Sequence, residues 1–89
     1  MRGKLRFNYS LYPNPAGSNI NLKITTDKDE NISITIYNSL GDIILNKELS
    51  LVSGKNLQKF DLQKTTIGVY YMKLQCSNKI SYIKFVKTE

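Results

Sequence analysis

Short runs in which hydrophobic and polar residues alternate at every second position recur along the chain. The clearest run follows Gly68, and the residues of its more hydrophobic parity are Tyr70, Met72, Leu74 and Cys76. A period of two places successive side chains on opposite faces of a β-strand. The run therefore predicts a half-buried strand at the centre of the fold, with these four side chains pointing inward.

Six further segments predict the remaining strands. They start at Phe7, Ile20, Ile32, Ile43, Leu57 and Ile80, and the last two end at Leu62 and Val86. Two of the six leave the inward face open. Apolar residues are consecutive at 43–45, and the final segment has apolar residues of both parities, so either both of its faces are covered or a bulge shifts its register.

Residues that favour turns separate these segments. Pro13 and Pro15 cannot lie inside a sheet, so Pro13 to Ser18 is predicted to be a stiff turn that carries the chain from one sheet to the other. Gly41 is expected to supply a left-handed residue in the hairpin at 38–42. Seven short strands with regular turns favour an all-β, immunoglobulin-like Greek-key β-sandwich of about seven antiparallel strands.

The entry to the central strand has the spacing of a tyrosine corner. Leu62, Gly68 and Tyr70 stand where such a corner would place them, with the Tyr70 hydroxyl bonding to upstream backbone. Gly68 is expected to provide freedom in φ where the chain crosses between sheets. The alternative is that Tyr70 only fills the core, and both interpretations bury it.

The length of 89 residues predicts one domain. Residues 1–10 are interpreted as a linker or cloning remnant with the start of the first strand, residues 1–6 being disordered, and residues 11–89 as the domain. No apolar run reaches the length of a membrane span or follows the N-terminus as a signal peptide would. A signal for export would therefore lie elsewhere, or the chain is an excerpt.

The composition excludes most catalytic chemistry. There is no histidine, and Cys76 is expected to be a buried apolar residue rather than a reactive thiol. The acidic turn at 27–31 lacks the spacing of a calcium loop, so we expect no metal, no cofactor and no catalytic residue. The net charge of +6 is scattered along the strands, which favours a soluble surface over a polyanion-binding face, and no nucleic-acid partner is expected.

Four motifs, taken in order, resemble one known family over residues 11–88. They are Leu11 to Ala16 (LYPNPA), Ile34 to Gly41 (ITIYNSLG), Ile67 to Met72 (IGVYYM) and Lys84 to Lys87 (KFVK). The family is the type A C-terminal sorting domain of the type IX (Por) secretion system, an export route of many Bacteroidetes. The chain departs from the family pattern at 46–49 and 65–66.

The resemblance implies a non-catalytic C-terminal signal that directs a cargo protein through the outer-membrane translocon to the cell surface or medium. It also implies that a surface sortase removes the domain upstream of Pro13. The partners implied are the translocon, the sortase and an upstream cargo domain. The resemblance places translocon recognition on Pro13, Asn14, Pro15, Gly68, Tyr70, Lys84, Phe85, Val86 and Lys87.

Two other classes of function compete with this one. A carbohydrate-binding or adhesive β-sandwich module usually presents a row of exposed aromatic side chains, for which Tyr37 and Tyr71 are the best candidates. A small enzyme is disfavoured because a nucleophile, a base and an orienting group cannot be assembled without histidine.

Overall fold

The computed structural model describes residues 8–77 and 79–88, so the predictions for residues 1–6 and Phe7 lie outside the described part. Seven strands form two antiparallel sheets. They are β1 (Asn8–Tyr12), β2 (Asn19–Thr26), β3 (Glu30–Asn38), β4 (Ile43–Leu51), β5 (Gly54–Asp61), β6 (Gly68–Cys76) and β7 (Lys79–Lys87). The predicted all-β, immunoglobulin-like sandwich is thereby confirmed.

The strand order shows where the chain changes sheet. One sheet has the order β1-β2-β5 and the other β4-β3-β6-β7, so the chain crosses after β2, after β4 and after β5. The crossings are short, and the one before β6 contains Leu62, whereas Gly68 and Tyr70 of the predicted corner lie in β6 itself. The outer strand β7 pairs with the central strand β6 from Gly68 opposite Lys87 to Cys76 opposite Lys79.

The core lies between the two inner faces, where alternation in the sequence becomes alternation in burial. Strands β2, β3 and β6 contribute apolar residues at every second position, as predicted. The fully buried side chains are Ile20, Leu22, Ile24, Ile32, Ile34, Ile36, Met72, Leu74 and Phe85. Removing this apolar surface from water is the main source of stability.

The structure shows which face is buried in the two strands whose inward face the sequence left open. In β4 the inward parity is that of Leu45, Leu49 and Leu51, whereas Ile43 and Ile44 are both exposed. In β7 the inward residues include Ser81 and Phe85, and the pairing with β6 continues without a bulge. The bulge lies instead in the β3–β4 pair, between Ile36 and Tyr37, next to the hairpin in which Gly41 has φ +90°.

Two predictions about connections were wrong. The loop at 13–18 joins β1 to β2, which are neighbours in the same sheet, so it does not transfer the chain between sheets. Gly68 has no left-handed backbone, because it lies in regular paired strand. A Cβ added there would have no atom within 4 Å. The glycine with positive φ next to a crossing is Gly54, at the start of β5.

Within residues 8–77 and 79–88 there is no helix long and apolar enough to cross a bilayer. The same residues hold no cluster of three potential metal-ligating side chains, including the acidic turn after β2.

Candidate functional site

The nine residues that the resemblance assigned to recognition converge at one end of the sandwich. The start of β6 pairs with the end of β7, so that Gly68 faces Lys87 and Tyr70 faces Phe85. The loop between β1 and β2 reaches the same place from the other sheet. Residues that are more than 50 positions apart in the chain therefore form one contiguous region.

Asn14 and Ala16 hold the loop against the outer edge of β7. The Asn14 side chain donates from Nδ2 to the Lys84 carbonyl (3.3 Å) and accepts from the Val86 N–H (3.1 Å). The Ala16 N–H donates to the Val86 carbonyl (2.7 Å), and the Thr88 N–H donates to the Ala16 carbonyl (2.8 Å). We call this contact of Asn14–Ala16 with Lys84–Thr88 the clasp.

The local sequence explains the clasp. Pro13 and Pro15 have no N–H to donate, so the intervening asparagine supplies through its amide both a donor and an acceptor for an unpaired strand edge. Ala16 forms an isolated parallel bridge with Lys87, and its small side chain is fully buried. The two-proline loop therefore connects two strands of one sheet and is held by hydrogen bonds to β7 of the other.

The tyrosine corner is present beside the clasp. The Tyr70 hydroxyl donates to the Thr66 carbonyl at 2.6 Å and lies 3.3 Å from Thr66 Oγ1. The Tyr70 ring stacks on Phe85 with 5.6 Å between the ring centroids, and Leu62 is buried in the same core. Tyr70 therefore does more than fill space, because its hydroxyl fixes the crossing that precedes β6.

The nine residues differ in accessibility. Pro13, Asn14, Pro15 and Lys84 are exposed, and Gly68 and Val86 are half-buried. Tyr70, Phe85 and Lys87 are buried. Lys87 is not a surface charge, because it has the same parity as Phe85 and is only 6% exposed.

The outer edge of β7 is free of backbone partners along part of the strand only, within the residues that the structure describes. On this edge, backbone groups of Lys84, Val86 and Thr88 form hydrogen bonds with Asn14 and Ala16. By the period of two, the next outward backbone groups on this edge belong to Ile80 and Tyr82. A second strand could add to the end of β7 only by displacing the loop.

Sequence reasoning did not identify Ala16, Thr66 or Thr88 as parts of this region. Ala16 acts through its backbone groups and Thr88 through its N–H and its hydroxyl, both of which bind the Ala16 carbonyl, so side-chain patterns do not report these contacts. Thr66 accepts the corner hydrogen bond through its carbonyl, and the corner motif indicated only an upstream backbone acceptor.

Cys76 lies at the opposite end of β6 and is buried, as predicted. Its Sγ donates to Glu30 Oε1 at 2.8 Å. Burial and the hydrogen bond to Glu30 raise the pKa of the Cys76 thiol from 9.0 to about 11. The thiol is therefore protonated at neutral pH, which removes it as a nucleophile.

A family model described as a secretion system C-terminal sorting domain matches residues 10–88 of the chain. No curated protein is similar enough to count as a match.

Among solved structures, a mutant β-glucosidase from Listeria innocua in complex with laminaribiose is similar with a TM-score of 0.50 and 10% sequence identity. The same enzyme in complex with glucose has a TM-score of 0.47 and 10% identity. Each of these alignments covers 94% of the present chain and 16% of the enzyme. The chain thus spans about a sixth of those proteins, and the first similarity shows the fold alone.

Proposed function

Because the chain belongs to the family of C-terminal sorting domains of the type IX secretion system, we propose that it is the non-catalytic signal that directs an attached cargo through the translocon. A surface sortase then removes it by cleavage upstream of Pro13. The family implies export to the cell surface or secretion, and its members are in general non-enzymatic.

The clasp is the observation that carries the proposal. It joins the first motif of the resemblance, at Pro13 to Pro15, to the last one, at Lys84 to Lys87. A receptor that contacts this end of the sandwich meets the exposed loop and the exposed Lys84 side chain together, and only when both sheets are folded. Recognition of the folded domain is thereby coupled to the position of the segment that joins it to the cargo.

The buried members of the set act indirectly in this proposal. Tyr70 and Phe85 stack under the clasp, and Lys87 pairs with Gly68 on the same row. They hold the contact surface in place, whereas Pro13, Asn14, Pro15 and Lys84 touch the translocon. Side-chain contacts of this kind avoid displacing the loop, which strand addition along the end of β7 would require.

A fused reporter in a type IX-competent host tests the proposal. Asn14→Ala removes both side-chain hydrogen bonds of the clasp, and Lys84→Glu reverses an exposed charge beside it. We expect both variants to reduce surface delivery and to retain the reporter in the periplasm. The matched controls on the far edge strand β4, Asn46→Ala and Lys47→Glu, should be delivered normally, since both residues are exposed there.

Circular dichroism of each purified domain separates misfolding from lost recognition. Normal delivery of folded Asn14→Ala and Lys84→Glu domains would contradict the assignment of recognition to this end. Mass spectrometry of the released domain locates the cleaved bond, which we expect upstream of Pro13.

A further inference from the structure

The outer face of the four-stranded sheet presents three tyrosines on three adjacent strands. Tyr37 of β3 lies directly opposite Tyr71 of β6, and Tyr82 of β7 is one diagonal step away and 63% exposed. Together with the hairpin residues Asn38, Ser39 and Gly41 they line a shallow depression of about 420 Å³. Tyr82 was not predicted to be an exposed aromatic residue, because the sequence left the inward face of β7 open.

Two lysines alternate with these rings. Lys84 is paired with Tyr71 across the strands, and Lys73 is paired with Tyr82. The Lys73 ammonium lies 5.9 Å from the centroid of the Tyr37 ring. The face is thus a patchwork of aromatic rings and ammonium groups, which we call the tyrosine face (Tyr37, Tyr71, Lys73, Tyr82 and Lys84).

The charged side chains of the tyrosine face are both basic. Asp42 follows the hairpin residues that line the depression, and Glu48 of β4 is paired with Ser33 of β3. Asp42 accepts from Asn38 Nδ2 at 3.4 Å, and Glu48 accepts from Ser33 Oγ at 2.6 Å. Both are engaged with neighbours, whereas Lys84 is exposed to solvent.

We propose that the tyrosine face binds an acidic oligosaccharide, with uronic acid units as the recognised chemistry. The C–H face of a pyranose ring is apolar and packs on the electron-rich face of a tyrosine, and the hairpin offers polar groups for hydroxyls. The ammonium groups of Lys73 and Lys84 stand beside the rings, where they pair with sugar carboxylates. The family implies export, so acidic polysaccharides outside the cell are among the polyanions that the domain can meet.

The tyrosine face shares Lys84 with the proposed translocon contact, but its three rings and Lys73 lie on the broad face of the sheet, away from the clasp. An oligosaccharide bound there would add a contact with cell-surface or extracellular glycan to the proposed contact with the translocon. The binding test therefore uses the isolated domain and does not depend on secretion.

Isothermal titration with a galacturonic acid hexamer measures the binding directly. We expect saturable binding by the unaltered domain, weakened about tenfold by Tyr71→Ala or Tyr82→Ala. Lys73→Gln and Lys84→Gln should weaken it and reduce its dependence on salt. Control variants on the three-stranded sheet, Tyr12→Ala (42% exposed) and Lys59→Gln (exposed), should bind like the unaltered domain.

The comparison probes are neutral maltohexaose and single-stranded oligothymidylate. Weaker binding of both supports the proposal. Equal or tighter binding of either would overturn it, as would the absence of saturable binding or an unchanged affinity in Tyr82→Ala. Sedimentation equilibrium is the final check: self-association of the domain that Tyr82→Ala abolishes would show that a second copy, and not a glycan, covers the face.

Discussion

Tyr70 connects three parts of the molecule. Its hydroxyl holds the crossing at Thr66, its ring stacks on Phe85, and its backbone lies in the central strand β6. Because the hydrogen bond and the ring packing come from different atoms, two substitutions at the same position separate their contributions.

Tyr70→Phe removes only the hydroxyl and should lower the free energy of unfolding by about 1–2 kcal/mol. Tyr70→Ala also leaves a cavity beside Phe85 and should cost about 3–5 kcal/mol. Urea unfolding followed by circular dichroism measures both values, and Tyr12→Phe, at an exposed position, should stay within about 0.5 kcal/mol of the unaltered domain. Equal losses for Tyr70→Phe and Tyr70→Ala would contradict the corner.

Cys76 gives a second prediction at the residue scale. Native protein should react slowly with a thiol reagent at pH 8, because the thiol is buried and its pKa is about 11, whereas urea-unfolded protein should react at once. Glu30→Gln removes the neighbouring negative charge, lowers the pKa of Cys76 and should speed labelling of the folded domain. Equal labelling rates for native and unfolded protein would disprove the burial.

The same thiol predicts the direction of a pH effect on stability. Its pKa is higher in the folded domain (about 11) than its usual value of 9.0, so the unfolded chain loses the proton first. The stabilising contribution of Cys76 is therefore complete below pH 9 and is lost as the pH rises from 9 to 11.

At the scale of elements, the strands with one clear apolar parity could be predicted from sequence. Strands β2, β3 and β6 each have a single such parity, and each buries the predicted face. The pattern failed where both parities contain apolar residues, as in β7, since periodicity alone cannot tell which of Phe85 and Tyr82 points inward. In the structure, pairing with β6 fixes which side chains of β7 point inward. This pairing joins residues far apart in the sequence, so a local pattern does not predict it.

The candidate site shows the same division. The two motifs that meet in the clasp could be recognised from the sequence, whereas their contact depends on hydrogen bonds between residues 70 to 72 positions apart. Gly68 illustrates the reverse error: its residue type suggested an unusual φ, but the backbone there is ordinary paired strand. Residue type predicts conformation well only where a turn requires it, as at Gly41 with φ +90°.

For the whole molecule, the proposed signal and the hydrophobic core share the same strand. Phe85 is fully buried and stacks on Tyr70, while Lys84, one position earlier, is exposed at the proposed contact surface. If the proposed function is correct, alternate residues of this strand serve folding and recognition. A deletion that removes the end of β7 removes both, and only point changes at exposed positions distinguish them.

Two truncations test this sharing. A chain that ends at Ile83 loses Phe85 and the clasp partners on β7, so we expect no cooperative thermal transition by circular dichroism. Of the contacts that the structure describes, a chain that ends at Lys87 loses the two hydrogen bonds from Thr88 to the Ala16 carbonyl. It should still melt cooperatively, with a stability loss of about 1–2 kcal/mol. If the chain ending at Ile83 melted like the full domain, the end of β7 would be a dispensable tail, and its loss in an export assay would then report recognition alone.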